Sequence, residues 1–418
     1  MVAMTDAAKP IAQGLKLRSL TSADLQNLLE LDGRAFLELP PQDVLDQVIA
    51  PALELDRFTG VFDHNDIVGA AGIFSKSLTL PGGVRAPVAA VTWVSVQPGY
   101  TGQGILRRLM TDQLKTLHEK RSEPIALLTA SESGIYGRFG YGLASLSAGR
   151  QIPQGLELRS IPQQGSVTHM KRDAALPAIR SLHQRIAEQT TGFLSRSEAT
   201  WNYLFSDHQY FRDGQSNLEF VLHADGYVAF RTKGSFDARG PAGTLVIIEL
   251  CAATPQAHAA LWAHLLSYSL VREISYGRSS LDDPIQDLVV DPRAIRTTTR
   301  DHLWLRIVDL DRAIGLRSYS SAARVRVRVT DATCPWNDGT WELTLTAGPR
   351  SFGASSAVRT AKLAEIVLDI SDLGAAFLGG ARIARLAAAG RITGDHTAIA
   401  DLDLAMSTAS APWCPEGF

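Results

Sequence analysis

Cysteine is scarce in this chain, and the three that occur, Cys251, Cys334 and Cys414, lie far apart with no CxxC spacing. That excludes a disulfide framework and a cysteine-based zinc site. The ten histidines include no HExxH and no close pair at ligand spacing, so no metal is expected. No apolar run approaches the ~18–20 residues that a membrane helix requires, so no membrane span is expected. The opening stretch, MVAMTDAAKPIAQG, has neither a basic n-region nor an apolar core. A secretory signal is therefore not expected, and the cytoplasm is the expected compartment. An excess of charge is missing too: 41 Lys and Arg against 43 Asp and Glu leave a net charge of −2. A nucleic-acid-binding surface usually carries a basic excess, so nucleic acid is not an expected partner. A local acidic cleft for a cationic substrate stays open.

What is present is a globular composition, 45% hydrophobic and 20% charged over 418 residues. At roughly 150 residues per domain this is two or three domains. Three segments separate, 1–155, 156–300 and 301–418. In the first, the strand LKLRSL (15–20) precedes a helix capped by Thr21 or Ser22, which is expected to bury Leu25, Leu28, Leu29, Leu31 and Phe36. Strands follow at 59–63 and 67–74 around the turn HND, and at 87–96 in a run apolar enough to be buried on both faces. Ile105, Leu106, Leu109, Met110, Leu114 and Leu117 recur at helical spacing over 103–121, and IALLTA (125–130) is a buried strand. The second segment repeats that order loosely. It has a helix at 174–191, strands at 219–223, 226–232 and 244–253, a helix from Pro255 to about Val271 and a strand at 274–276. A degenerate duplicate of one fold is the preferred reading. The third segment alternates apolar and polar residues in VRVRVTDA and WELTLTA, then gives helical runs at 361–366, 370–377 and 380–390. That pattern is a separate α+β domain, and the whole chain is α+β, a mixed α/β protein.

The stretch that carries chemistry runs from Thr92-Trp93-Val94-Ser95-Val96 through Gln97-Pro98-Gly99-Tyr100-Thr101-Gly102-Gln103-Gly104 into Ile105-Leu106-Arg107-Arg108. A buried strand enters a Gly-rich turn that opens an amphipathic helix. Such a helix start has unpaired N–H groups and partial positive charge, which suit a pyrophosphate. Glycine at 102 and 104 lets backbone approach phosphate without a Cβ in the way. Two nucleotide signatures fail. Position 107 is Arg, so GxGxxG is incomplete, and no GxxxxGK[ST] occurs. Without further context, the feature equally fits a glycine-capped turn before a surface helix.

This segment resembles motif A of the GNAT acetyltransferases, although Thr101 stands where Gln or Arg is usual and Leu106 at the final Gly/Ala position. The closer resemblance is to the enhanced intracellular survival (Eis) family of aminoglycoside acetyltransferases. It rests on Trp93-Val94-Ser95-Val96, on Gly104-Ile105-Leu106-Arg107, and above all on the block ASESGIYGRFGYG at 130–142. Asp225-Gly226-Tyr227, Ala260-Leu261-Trp262 and Leu303-Trp304-Leu305-Arg306 extend it along the whole chain. The resemblance implies tandem GNAT folds followed by a sterol-carrier-protein-like domain, with only the first GNAT domain binding acetyl-CoA. It further implies a homo-oligomer, the family tending toward hexamers. Carried over by position, Val94, Ser95 and Val96 would hold the pantetheine arm, and Gly102, Gln103, Gly104, Ile105, Leu106 and Arg107 the phosphates. Ser131 and Glu132 would lie near the reactive end, Tyr136 would be the general acid and the Phe418 carboxylate the general base.

Acetyl transfer to an amine needs a neutral nucleophile, a stabilised oxyanion and a proton for the thiolate. A backbone N–H near Val96 is a candidate oxyanion donor, and a phenol of reference pKa ~10 can protonate a thiolate of ~8.5. From the residues alone Tyr136 is part of an aromatic packing cluster with Phe139 and Tyr141; the resemblance makes it the acid. An α-carboxyl near pKa ~3.5 is a poor base in water, so burial or a bridging water would have to assist it. Trp413 and Phe418 are costly to leave exposed, so a docked tail is expected in place of a frayed one. Asp32 and Glu416 are candidates to supply negative potential for a small cationic amine, and Trp93 either lines the substrate cavity or belongs to the core. His118 is expected at the surface. A protein or peptide lysine acetyltransferase, and a lipid-binding carrier with an inert transferase part, remain alternatives.

Overall fold

The structure of the chain, a computed structural model, describes residues 14–160, 165–348 and 353–418. Two seven-stranded sheets and a five-stranded sheet organise it. The first sheet runs in the order Lys16–Ser19, Thr59–Asp63, Asp66–Thr79, Arg85–Val96, Ile125–Thr129, Leu303–Ile307 and Gly142–Leu143. The second runs Thr168–Met170, Glu219–His223, Gly226–Lys233, Gly243–Ala252, Val271–Ser279, Leu146–Pro153 and Arg296–Asp301. In each sheet every neighbour is antiparallel except the fourth and fifth strands, which are parallel. A parallel pair requires a crossover, and helices Ile105–Lys120 and Pro255–Leu266 supply it in the corresponding places. The duplication seen in the order of elements thus extends to the direction of every strand pair.

The sheets do not end where the sequence segments do. Leu146–Pro153 lies before residue 155 yet enters the second sheet, while Leu303–Ile307 lies after residue 300 yet fills the matching sixth slot of the first. Leu303, Leu305 and Ile307 are fully buried there. An apolar pattern records that a strand will be covered, not which of two similar sheets will receive it.

The third unit pairs Ser356–Arg359, Gly339–Leu345, Ala323–Thr330, Ile366–Asp369 and Thr393–Gly394. Val325, Val327 and Val329 point inward while Arg324, Arg326 and Arg328 face outward to Glu342, Glu365 and Asp338. The run 361–366 is not helical: it is irregular up to Ile366, which starts a strand in parallel register with Val327. Tertiary pairing outweighs weak helix propensity in so short a segment. Helix Ile370–Ala376 lies so close to the first sheet that a Cβ on Gly142 would sit 1.9 Å from the Ser371 carbonyl oxygen. One core therefore runs from Leu127 and Leu305 of the first sheet to Val327, Leu373 and Phe377 of the third unit. His118 is no free surface group. Its ring stacks on Trp336 at 4.0 Å and bonds Asp309 at 2.5 Å, across that same junction. Among the described residues no helix is long and apolar enough to cross a membrane.

Candidate active site

The site begins where two strands part. Arg85–Val96 pairs in parallel with Ile125–Thr129 only at Ala89↔Ala126 and Ala90↔Leu127. On its other edge the register slips, with Ala70 opposite Ser95 but Gly72 opposite Thr92. Trp93 and Val94 therefore oppose Ala71 alone, and Trp93 takes a left-handed φ of 51°. Such a bulge bends its strand, and Val94, Ser95 and Val96 are left with an edge that no strand covers. The Ser95 hydroxyl, buried there, has no hydrogen-bond partner among the described residues.

From this edge the chain turns through Gly102 (φ 77°) into Gly104 (φ 83°), the residue preceding helix Ile105–Lys120. Left-handed backbone is costly for any residue but glycine. No side chain caps this helix start, and a Cβ at Gly102 would meet nothing within 4 Å. Gln103 donates its amide to the Gly99 carbonyl at 3.2 Å and steadies the turn. Ile105 is buried, pressed against Gly69, where a Cβ would sit 2.4 Å away. Leu106 and Arg107 are half-buried in the first helical turn. The exposed first-turn amides and open turn form a cradle fit for a pyrophosphate.

Beyond Thr129 the block 130–142 wraps the other side of the splay. Ser131 lines the cleft, whereas Glu132 is exposed and does not. Tyr136 opens a 3₁₀ turn, Tyr136–Phe139, and packs edge-on to Tyr141 with centroids 6.1 Å apart. It also lines the cleft, and its hydroxyl has no hydrogen-bond partner among the described residues. Packing residue and cleft residue are thus one and the same. Burial, then the nearby Glu132 charge, push its phenol up to about 12, so it holds its proton at neutral pH.

The C-terminal tail is docked. Trp413 donates its indole N–H to the Arg278 carbonyl at 2.9 Å and its amide to the Thr191 carbonyl at 2.8 Å. Five residues later, Thr129 Oγ1 donates to Phe418 O at 3.0 Å, which sets the chain terminus at the end of the splayed strand. Between these anchors lies a cluster that the sequence did not reveal. Arg196 meets Glu249 of the second sheet and Glu416 of the tail, each at 2.6 Å, and all three are nearly inaccessible. The guanidinium sits 4.7 Å over Trp201, and Tyr227 donates to Glu249 at 2.5 Å. Glu416 was expected to offer free negative charge; it lines the cleft but spends that charge on Arg196.

The cleft measures about 580 Å3. Asp32 and Trp93 line it, and Trp93 also packs edge-on to Phe58 at 6.5 Å. Asp32 has no ion-pair partner among the described residues, and burial raises its carboxyl to about 6. Phe36, expected in the core, is instead 49% exposed on the cleft wall. It closes helix Leu25–Phe36, and the left-handed Leu37 that follows turns the chain across the mouth. The second unit supplies the facing wall through Thr200, Tyr203, Leu204, Tyr210 and Phe211. Nothing in their spacing marked them, because an opposing wall is created only by the docking of one unit on another. Among the described residues no cluster of His, Cys, Asp and Glu could hold a metal.

The equivalent splay in the second unit is closed. Its strands pair only from Gly243↔Val271 to Ile247↔Tyr276, and the fully buried Tyr276 hydroxyl then bridges the gap, donating to the Leu250 carbonyl at 3.2 Å. Its crossover helix starts at Pro255 and is capped by Thr254, which accepts from the Ala257 amide. With the gap plugged and the helix start capped, only the first unit presents a cradle.

Comparison with known proteins agrees with this architecture. The acetyltransferase (GNAT) domain family matches residues 16–144 and, in a second form, 192–307; the sterol carrier protein domain family matches 310–415. An uncharacterised N-acetyltransferase of Streptomyces avermitilis is 35% identical over 376 residues, 87% of this chain and 90% of the relative. N-acetyltransferase Eis of Mycobacterium tuberculosis is 30% identical over 360 residues, 84% and 85% of the two chains. The crystal structure of Eis1 from Mycobacterium abscessus superposes with a TM-score of 0.83 at 32% identity, covering 96% of this chain and 100% of that one. Two GNAT units built on one plan, one cradle left open, and relatives of this identity along nearly the whole length lead to one conclusion: the chain belongs to the Eis-like N-acetyltransferases.

Proposed function

We propose that this enzyme transfers acetyl from acetyl-CoA to a small cationic amine, the class that includes aminoglycosides and polyamines, in a direct ternary complex. GNAT domains use acetyl-CoA generally, and the open splay, the uncapped helix start and the unpartnered Ser95 hydroxyl fit that donor. Val94, Ser95 and Val96 would hold the pantetheine arm by strand-edge hydrogen bonds, and residues Gly102 to Arg107 the phosphates. Bound there, acetyl-CoA supplies an activated acyl carbon and a thiolate leaving group. The Phe418 carboxylate accepts the proton that the attacking ammonium must lose, directly or through one water. A backbone N–H at the bulge near Val96 faces the developing oxyanion. As the tetrahedral intermediate collapses, its nitrogen loses its second proton to solvent and Tyr136 gives its hydroxyl proton to the departing sulfur; a solvent proton then restores the phenol.

The observation that carries this reading is the convergence of the unpartnered Tyr136 hydroxyl and the Phe418 terminus on one cleft at the mouth of the splay. The test is thiol release from acetyl-CoA in the presence of amines, comparing wild type with Tyr136→Phe and with a chain extended past Phe418. Both changes are expected to lower kcat by ~10²-fold or more while acetyl-CoA binding survives. Wild-type turnover in either variant would remove that residue from the mechanism.

A further inference from the structure

The block 130–142 borders two cavities. Tyr136 lines the large cleft, and the next residue, Gly137, lines a second cavity of about 270 Å3. A Cβ on Gly137 would meet nothing within 4 Å, and its φ is not positive, so neither packing nor backbone conformation calls for glycine there. All three units meet around this second cavity. Leu143 and Trp304 come from the first sheet, Leu146 and Leu281 from the second unit, and Leu386 from helix Ile383–Ala388 of the third. Leu143, Leu146, Leu281 and Trp304 are only half-buried, which leaves apolar surface for an occupant to cover.

The two cavities are opposite in charge. Asp32, Glu38, Glu416 and the chain terminus line the large cleft, and Lys76 is the one basic residue on its wall. The second cavity has Arg385 and Arg391 on its wall and neither Asp nor Glu. Arg391 pairs with the buried Asp372 at 2.6 Å, whereas Arg385 meets no carboxylate among the described residues. The neighbouring Asp282 and Asp301 accept from the Ala411 amide at 2.5 Å and the Trp304 indole at 2.9 Å, and neither lines the cavity. Ser371, only 8% exposed, adds a hydroxyl with no hydrogen-bond partner among the described residues. Such a wall favours an anion. A cavity of ~150 Å3 admits a benzene ring, so this one has room for an aryl ring and a short chain bearing its head group.

We propose that this second cavity is an effector site for a small amphipathic carboxylate. The carboxylate pairs with Arg385 and accepts from the Ser371 hydroxyl, while an aryl-sized body covers Leu143, Leu146, Leu281 and Trp304. The same wall includes parts of both segments that carry the proposed acid and base. Gly137 adjoins Tyr136, and Ala411 and Pro412 begin the tail that ends at Phe418. A ligand that contacts the docked tail and not the released one shifts the equilibrium toward docking. The site stands on the cavity alone; its effect on turnover rests on the acetyltransfer reading above.

The experiment titrates the full-length protein calorimetrically with 3-phenylpropionate and with the neutral 3-phenylpropanamide. Wild type is compared with Arg385→Ala, Arg385→Lys and Leu281→Trp, with melting temperature as the folding control. Wild type is expected to bind the carboxylate at least tenfold more tightly than the amide. Arg385→Ala should erase that preference and Arg385→Lys should restore most of it, while Leu281→Trp, which fills the cavity, should weaken both probes about tenfold. Bound 3-phenylpropionate should slow amide hydrogen exchange across residues 411–418 at least threefold and raise thiol release from acetyl-CoA with an amine acceptor, and should do neither in Leu281→Trp. No binding, equal binding of carboxylate and amide, or affinities unmoved by Arg385→Ala and Leu281→Trp would overturn the site. Binding with unchanged exchange in the tail would overturn the effector role. Slowed exchange in a protein that acetylates no amine would overturn the acetyltransfer reading and leave this site standing.

Discussion

Consider Arg196→Met. The substitution removes the only cation that, among the described residues, pairs with Glu249 and Glu416, both nearly inaccessible to solvent. Leaving a buried carboxylate unpaired costs about 3–5 kcal/mol. Glu249 is fixed in a central strand of the second sheet and can relieve that cost only by taking up a proton. Glu416 has a less costly route. Past Cys414 the tail is held by the hydrogen bond from Thr129 to Phe418, about 1 kcal/mol, and by the half-buried Phe418 ring against the core, about 1 kcal/mol more for partial burial. Since about 2 is less than 3–5, the tail is expected to release instead of holding an uncompensated charge. The fold then loses little, but the terminal carboxylate leaves the cleft. If that carboxylate is the general base proposed above, its loss lowers kcat by ~10²–10⁴-fold. The KM for acetyl-CoA should stay within twofold, because residues 94–107 are untouched. Arg196→Lys, a point charge that cannot span two carboxylates, should fall between. The assays are steady-state thiol release and carboxypeptidase digestion, which should remove Phe418 rapidly from the variant and slowly from wild type. A variant that keeps kcat within twofold while the terminus stays protected would refute the claim that this guanidinium holds the tail in place.

Two other changes test separate parts of the structure. Asp32→Asn removes a carboxyl whose burial raises it to about 6. A raised acid favours folding while protonated, and that contribution is lost as pH rises through about 6, so the variant should melt at a higher temperature than wild type at pH 7.5 and not at pH 4. Acceptor KM, which should fall from pH 5 to 7 in wild type as Asp32 ionises, should lose that slope in the variant; an unchanged slope would take Asp32 out of acceptor binding. Gly142→Ala would place a Cβ 1.9 Å from the Ser371 carbonyl and 2.4 Å from the Ala375 amide nitrogen. Overpacking of this kind costs about 1–3 kcal/mol, and calorimetry should show a lowered melting temperature; an unchanged one would mean that the third unit is not pressed onto the first sheet as described.

Much of the site was legible because its parts are local. The turn 97–104 needs glycine where φ is positive, and the helix after it needs an apolar stripe; both are written within a few residues of one another. The block 130–142 was recognisable as a whole, though its glycines serve different ends: Gly142 accommodates helix Ile370–Ala376, while Tyr136 between them faces the cleft. What depended on docking was not legible. Phe36 continues the periodicity of buried leucines, yet it stays half exposed on the cleft wall. Tyr203 and Phe211 become a wall only when the second unit meets the first. Arg196, Glu249 and Glu416 are separated by 53 and 220 residues from Arg196 outward, and no local pattern couples them.

The crossing of Leu146–Pro153 and Leu303–Ile307 between the two large sheets sets an order of events during synthesis. A nascent chain that has emerged through Leu143 holds a first sheet with its sixth slot vacant, and the strand that completes it ends at Ile307. At ~5–20 residues per second, the intervening stretch of about 160 residues keeps that slot waiting for roughly 8–30 s. During that interval the strand at 146–153 is the nearest wrong occupant. The second unit, by claiming it, works as an internal escort. The first sheet is completed only after its degenerate copy has been made.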